Sequence, residues 1–253
     1  MAVIEVPALV GPRTVLVTGG SGGIGRAVAA RLAELGSRVA VGYNSRIDTA
    51  EDVVSGLCGE GHFAIRIAID DPASIEEAKA AVEERFGFLD ALVNSGGATT
   101  PVAANDLDAL TDEIFDRAVL LNLRGPFAVI RAMRPLLERG ENAAIVNVSS
   151  IAARTGVGSS LAYLAAKGGL DSLTIALAKV LAPMVRVFSV SPAGVDTDFV
   201  PNRTREQLER TAEKFPLRHV TVPDDVARAV AACIVSLTSS TGIVVPVDEG
   251  RPL

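Results

Sequence analysis

"TVLVTGGSGGIGR", residues 14–26, decides the architecture of this 253-residue chain. A short β-branched run (14–19) meets a cluster of glycines at 18–26, and an amphipathic stretch, Gly25–Leu35, begins at once. Glycines alone often only make turns, but a buried strand, a glycine turn and a helix N-terminus in succession form the context a phosphate site needs. Gly19 permits the tight turn, while Gly23 and Gly25 let backbone approach a pyrophosphate and let the helix pack on the strand. The unpaired N–H groups at that helix start then face the phosphates. Ser21 and Ile24 lie in the same turn and belong to the expected binding set.

Outward from this turn, the hydrophobic period alternates. Further strand-like runs fall at 37–43, 62–69, 89–94, 143–150, 185–191 and 242–248. Helical stretches lie between them at Ser74–Phe86, Leu110–Arg139, Leu161–Leu181 and Pro223–Leu237. Several strands are apolar on both faces, as when helices cover both sides of a parallel sheet. The pattern predicts an α/β fold: a single-domain, Rossmann-like, doubly wound parallel sheet of about seven strands over residues 1–253. Residues 198–219, polar and proline-flanked, interrupt the alternation and are expected to form a substrate loop or lid.

Composition narrows the function classes. The chain is 49% hydrophobic and 21% charged, with a net charge of −6 and no Lys/Arg block, so a nucleic-acid partner is not expected. Apolar stretches are broken before the roughly 18 residues that span a bilayer, so no membrane partner is expected. "MAVIEVPALVGPR" (1–13) lacks a basic start and a small-residue cleavage site, which points to the cytoplasm. Cys58 and Cys233 cannot make a disulfide framework and read as core residues, and His62 and His219 are too few for a metal site.

The spacing Gly19-x-x-x-Gly23-x-Gly25 is one residue longer at its start than the common Rossmann fingerprint and resembles that of the short-chain dehydrogenase/reductase family. Further motifs follow in the family's order. "NSGG" (94–97) resembles its Asn-Asn-Ala-Gly segment, placing Asn94 and Gly96 at the cofactor. "LNLRGPF" (121–127) carries its asparagine at Asn122, and "IVNVSS" (145–150) ends in its serine, at Ser150 by interval from Tyr163. "YLAAK" (163–167) is its Tyr-x-x-x-Lys, "SPAGVDTD" (191–198) keeps Val195 and Thr197, and "TGIVVPVDEG" (241–250) is similar to its last strand and tail. Each motif alone is weak; six in order are not explained by chance.

The resemblance implies a catalytic set of Asn122, Ser150, Tyr163 and Lys167. At (i, i+4) on a helix, Tyr163 and Lys167 share a face. A phenol near pKa 10 is a poor proton shuttle, and a neighbouring ammonium lowers that value. Lys167 would also hold the nicotinamide ribose, Ser150 the substrate carbonyl oxygen, and Asn122 a water that relays protons to Lys167. Carbonyl reduction or alcohol oxidation is the implied activity. The chain resembles the 3-oxoacyl-thioester reductase branch, which leaves thioester reduction as an alternative and a catalytically silent, cofactor-binding regulator as a third. "ENAA" (141–144) and "LAPMV" (181–185) lack the bases that would dock an acidic carrier protein, although Arg131, Arg134 and Arg139 are nearby in sequence. A homotetramer built through 110–139 and 161–181 is the family expectation.

Cofactor choice rests on the end of the second strand. NAD enzymes place an acid there; this chain has Tyr43, followed by Asn44, Ser45 and Arg46. NADP(H) is therefore favoured over NAD(H), with Arg46 either on a 2′-phosphate or a solvated loop residue and Tyr43 against the adenine or ribose. Two departures stand out. Ala68 replaces an adenine-contacting Asp, with Asp70 two places later, and Ala193 stands where the family has glycine. The adenine clamp is either weaker or shifted.

Overall fold

The computed structural model describes residues 13–201 and 204–251. The N-terminal stretch discussed above, and residues 202 and 203 of the expected lid, lie outside these. The chain alternates β1 (Thr14–Thr18), α1 (Gly23–Glu34), β2 (Arg38–Tyr43), α2 (Ile47–Ser55), β3 (Phe63–Arg66), α3 (Pro72–Phe86) and β4 (Ala91–Asn94). It continues through α4 (Asp112–Val119), a π turn (Leu120–Arg124), α5 (Gly125–Leu137), β5 (Ala143–Val148), α6 (Ala152–Thr155) and α7 (Leu161–Leu181). The last part holds β6 (Val185–Pro192), α8 (Arg205–Ala212), α9 (Pro223–Val235) and β7 (Ile243–Val247).

All seven strands pair in parallel, in the order β3-β2-β1-β4-β5-β6-β7. Every residue of β1 is buried, because alternate side chains feed two separate cores. Leu16, Leu92, Ile145 and Val187 pack with Val82 of α3, Met133 of α5 and Leu177 of α7. Val15, Val17, Val39, Val93 and Val146 pack with Leu32 of α1, Val53 of α2 and Val230 of α9. The doubly wound sheet foreseen from the strand pattern is therefore present. Strand order reverses between β1 and β4, which opens a crevice at the carboxyl ends of these strands.

Three local expectations are corrected. The helix expected over 110–139 is three elements, the π turn lying where Pro126 brings no N–H to the carbonyl of Asn122. Asn122 donates from Nδ2 to the Ala118 carbonyl (2.9 Å) and the Ala98 carbonyl (2.7 Å). The nine-residue α2 was not foreseen, being too short to develop a clear period. Cys58 is exposed rather than in the core; only Cys233 is buried, and burial pushes its thiol up to about 11.

Candidate active site

A cavity of about 1020 Å³ lies at the carboxyl ends of the central strands. Its floor is the glycine turn. Gly19 has φ +62, and a Cβ there would stand 2.9 Å from the backbone of Gly96, so the turn lies directly against the segment after β4. At Gly23 a Cβ would come within 2.5 Å of the Thr197 methyl, where the loop after β6 closes over the turn. Gly22, the N-cap of α1, supplies no side-chain cap, and no acid lies in the first turn. The cradle thus keeps its backbone donors for a ligand and at Gly19 and Gly23 has room only for bare backbone, which fits the pyrophosphate of a dinucleotide.

Ser150, Tyr163 and Lys167 line the same cavity. Ser160 caps α7 by accepting from the Tyr163 N–H (3.3 Å), fixing the tyrosine in the first turn. Tyr163 and Lys167 are both nearly buried, and the Lys167 Nζ lies 5.7 Å from the centre of the Tyr163 ring. Nζ donates to the Val148 carbonyl (2.8 Å), one of the three donors an ammonium has. Burial pulls the Lys167 pKa down to about 8, against the field of Asp171, which acts upward. The two neighbouring serines divide. Ser149 Oγ is buried and donates to the Lys167 backbone carbonyl (3.4 Å). Ser150 Oγ accepts from the Ala152 N–H (3.2 Å), and among the described residues its own hydrogen has no acceptor.

Other expected residues fall into two groups. Ser21, Ile24, Gly25, Asn44, Ser45, Arg46, Gly96, Val195 and Thr197 line the cavity with Gly19 and Gly23. Arg46 is exposed and, among the described residues, has no ion-pair or hydrogen-bond partner. Asn94, Asn122 and Tyr43 do not line it. Asn94 is buried and donates to Asn147 Oδ1 (2.9 Å), and Tyr43 packs against the core beside α1 and α2. Asn122 is fully buried; both its amide hydrogens are spent on carbonyls, while its Oδ1 has no partner among the described residues.

Asp70 and Ala68 part company. Asp70 lines the cavity and pairs with Arg117 at 2.7 Å, whereas Ala68 is buried and its N–H goes to Ser74 Oγ (3.0 Å). Lining residues not singled out from sequence include Phe199, Arg205 and Arg251. Phe199 leans over the site, its ring 5.9 Å from that of Tyr163. Arg205, at the start of α8, bonds Asp196 (2.5 Å) and Glu209 (3.0 Å). Arg251 reaches the cavity from the chain's last described turn and stacks on Phe215, 5.5 Å from the ring centre. Of these, Phe199 carries a signal in sequence, as one of two aromatics, with Phe215, in a polar stretch. Among the described residues, His219, Asp225 and Glu249 could share a cation, yet Asp225 is already committed to the Val222 N–H, His219 and Arg228. Among the described residues no helix is long and apolar enough to cross a membrane.

Comparisons agree over nearly the whole chain. A family model described as enoyl-(acyl carrier protein) reductase matches residues 19–251. A Streptomyces violaceoruber protein assigned as a ketoacyl reductase of the granaticin polyketide synthase is 36% identical over 94% of this chain and 95% of its own length. The 3-oxoacyl-[acyl-carrier-protein] reductase of Staphylococcus aureus strain Mu50 is 33% identical over 87% of this chain and 89% of its own. Among solved structures, a dehydrogenase/reductase from Sinorhizobium meliloti 1021 superposes with a TM-score of 0.87 at 32% identity, covering 97% of each chain. A short-chain dehydrogenase/reductase from Brucella melitensis, titled a glucose/ribitol dehydrogenase, gives 0.88 at 28% identity, covering 96% of this chain and 97% of its own.

Proposed function

The chain belongs to the short-chain dehydrogenase/reductase family of oxidoreductases, and from that premise we propose that it interconverts a ketone and a secondary alcohol with NADP(H). The observation that carries this reading is that Ser150, Tyr163 and Lys167 face one cavity with an uncapped glycine turn. Ser150 Oγ, with its hydrogen unspent among the described residues, holds the substrate carbonyl oxygen. Tyr163 delivers the proton to that oxygen in reduction and removes it in oxidation. Lys167, close beside the ring, favours the phenolate and so brings Tyr163 into a useful range. Its remaining donors hold the ribose. When bound, a nicotinamide supplies or accepts the hydride. The Oδ1 of Asn122 lies against Gly97 of the cavity wall, where a Cβ would come within 2.6 Å of it, and is the acceptor offered to a relay water.

NADP(H) is favoured by Arg46, an unpaired cation among the described residues, and by the absence of any acid at Tyr43–Arg46. The lining residues Phe199, Val200 and Arg205 support reading 198–219 as a substrate lid of a single domain. Exposed Phe115 on α4 and Ile175 and Val180 on α7 suit the faces at which a tetramer would form.

A second reading, reduction of a 3-oxoacyl thioester, is favoured by the names of the relatives from Streptomyces and Staphylococcus. One panel separates the two. Ketones, aldehydes and 3-oxoacyl thioesters are offered with NADPH and with NADH, and cofactor absorbance is followed. Turnover of simple ketones supports the first reading, and turnover confined to thioesters the second. No turnover of any carbonyl with either cofactor would overturn both.

A further inference from the structure

The sheet face covered by α7 is apolar at Leu92, Ile145 and Val187, and two residues later along the same strands it turns polar. Asn94, Asn147 and Ser189 stand side by side in register across β4, β5 and β6, all buried. Asn94 Nδ2 donates to Asn147 Oδ1 (2.9 Å), Asn147 Nδ2 to Thr174 Oγ1 (2.9 Å), and Ser189 Oγ to Asp171 Oδ1 (2.6 Å). This row therefore ends on a carboxylate that is only 8% exposed. The other oxygen, Asp171 Oδ2, is inaccessible and has no hydrogen-bond partner among the described residues. A buried charge answered by one hydroxyl is costly unless an opposite charge lies close.

That opposite charge is on the same helix. Lys167 precedes Asp171 by four residues, so the two side chains share a face, and Lys167 is itself only 5% exposed. We propose that Asp171 is the buried counter-charge that keeps Lys167 protonated, and so is a positioning residue for the Tyr163–Lys167 pair. The role in proton transfer rests on the reading of Lys167 given above; the coupling of the two charges does not. An ammonium alone in this niche loses solvation with nothing in return, whereas the two opposite charges together are neutral overall. Burial lowers the Lys167 pKa, and the field of Asp171 acts against that shift.

The surroundings leave few rivals. Tyr163 is the other titratable group on this face of α7. β5 and β6 offer Asn147, Ser149 and Ser189 there, and Arg186 of β6 turns to the α9 side to bond the Cys233 carbonyl. The remaining elements packed on α7 add only exposed charges: Asp112, Glu113, Asp116 and Arg117 on α4, Arg124 on the π turn and Arg154 on α6. Across the cavity stand Asp196 and Arg205, paired with each other, and exposed Asp198.

The chain has four lysines, Lys79, Lys167, Lys179 and Lys214, so lysine side-chain NMR can follow each titration in the cofactor-free protein. Asp171→Asn keeps the shape and the acceptor for Ser189 but removes the charge. It is expected to lower the Lys167 midpoint by ~1 pH unit or more, leaving the other three lysines unmoved. Ser189→Ala removes the hydrogen bond but not the charge, and is expected to leave the midpoint in place. An unmoved Lys167 midpoint in Asp171→Asn, or an equal shift in Ser189→Ala, overturns the proposal. The alkaline limb of kcat in carbonyl reduction should fall with the midpoint, because removing a negative charge lowers the proton affinity of the Tyr163–Lys167 pair as a whole. A moved midpoint with an unmoved limb supports the coupling and removes Lys167 from the proposed proton transfer. If Asp171→Asn does not fold, Lys167→Met/Asp171→Asn is compared with Lys167→Met. The double variant is expected to melt higher, since it removes an unanswered charge, and a lower melting point overturns the proposal.

Discussion

Gly19 and Gly36 offer a matched pair of perturbations. Both have positive φ, +62 and +85, so alanine at either carries backbone strain of ~1 kcal/mol. They differ in what a Cβ would meet. Nothing lies within 4 Å at Gly36, whereas at Gly19 the new methyl would stand 2.9 Å from the Gly96 backbone, which cannot rotate away. Overpacking of this kind adds about 1–3 kcal/mol, bringing Gly19→Ala to about 2–4 kcal/mol against ~1 for Gly36→Ala. In a chain of this size each kcal/mol lowers Tm by roughly 2–4 °C. Urea unfolding and thermal melting should therefore separate the variants clearly. Cofactor titration should separate them further, because yielding at Gly19 displaces the floor of the cavity while Gly36 lies outside it. Equal losses of stability and undiminished cofactor binding in Gly19→Ala would refute the close-approach argument.

Three other predictions follow from the same geometry. Arg46→Ala is expected to reduce the NADPH-over-NADH ratio of kcat/KM by at least ~10-fold, the value of one charge-assisted contact, and an unchanged ratio would detach Arg46 from cofactor choice. Phe199→Ala should raise KM for bulky apolar ketones more than for small ones, since the ring that leans on Tyr163 forms a wall of the cavity; a uniform change across the series would count against that wall. Lys167 also leaves a signature in stability. Its folded-state pKa of about 8 lies below the ordinary 10.5, so between these values the unfolded chain binds more protons and this group makes stability rise with pH. The contribution reaches about 3 kcal/mol at the top of the window. Lys167→Met should lose this slope in pH-dependent unfolding, and a variant with the same slope as the wild type would contradict the burial argument.

Some of this site was legible in the chain and some was not. Gly19, Gly23 and Gly25 could be placed because local backbone geometry dictates residue type there, and Tyr163 and Lys167 because a helix turns a fixed spacing into a shared face. Contacts that come from distant segments could not be read in advance: Asn94 is bonded to Asn147 in a buried ladder, and Tyr43, half-buried, packs against the core. Phe199 and Arg251 reach the cavity through long-range docking, including the seat of Gly250 against Pro216. The pairing of Asp70 with Arg117 bridges segments 47 positions apart and had no local signal. The π turn was not read in advance, although Pro126, four residues after Asn122, withholds an N–H from that residue's carbonyl; Pro135 does the same inside α5 without ending that helix.

The most direct measurement compares wild type with Tyr163→Phe, recording NADPH oxidation with an accepted carbonyl and, separately, NADPH binding to the resting protein. Losing only the phenolic hydroxyl should cut kcat at least ~100-fold, the scale of general acid catalysis, while Kd for NADPH stays within about 3-fold. A Tyr163→Phe protein that binds NADPH and still reduces the carbonyl at an undiminished rate would contradict the account at its centre.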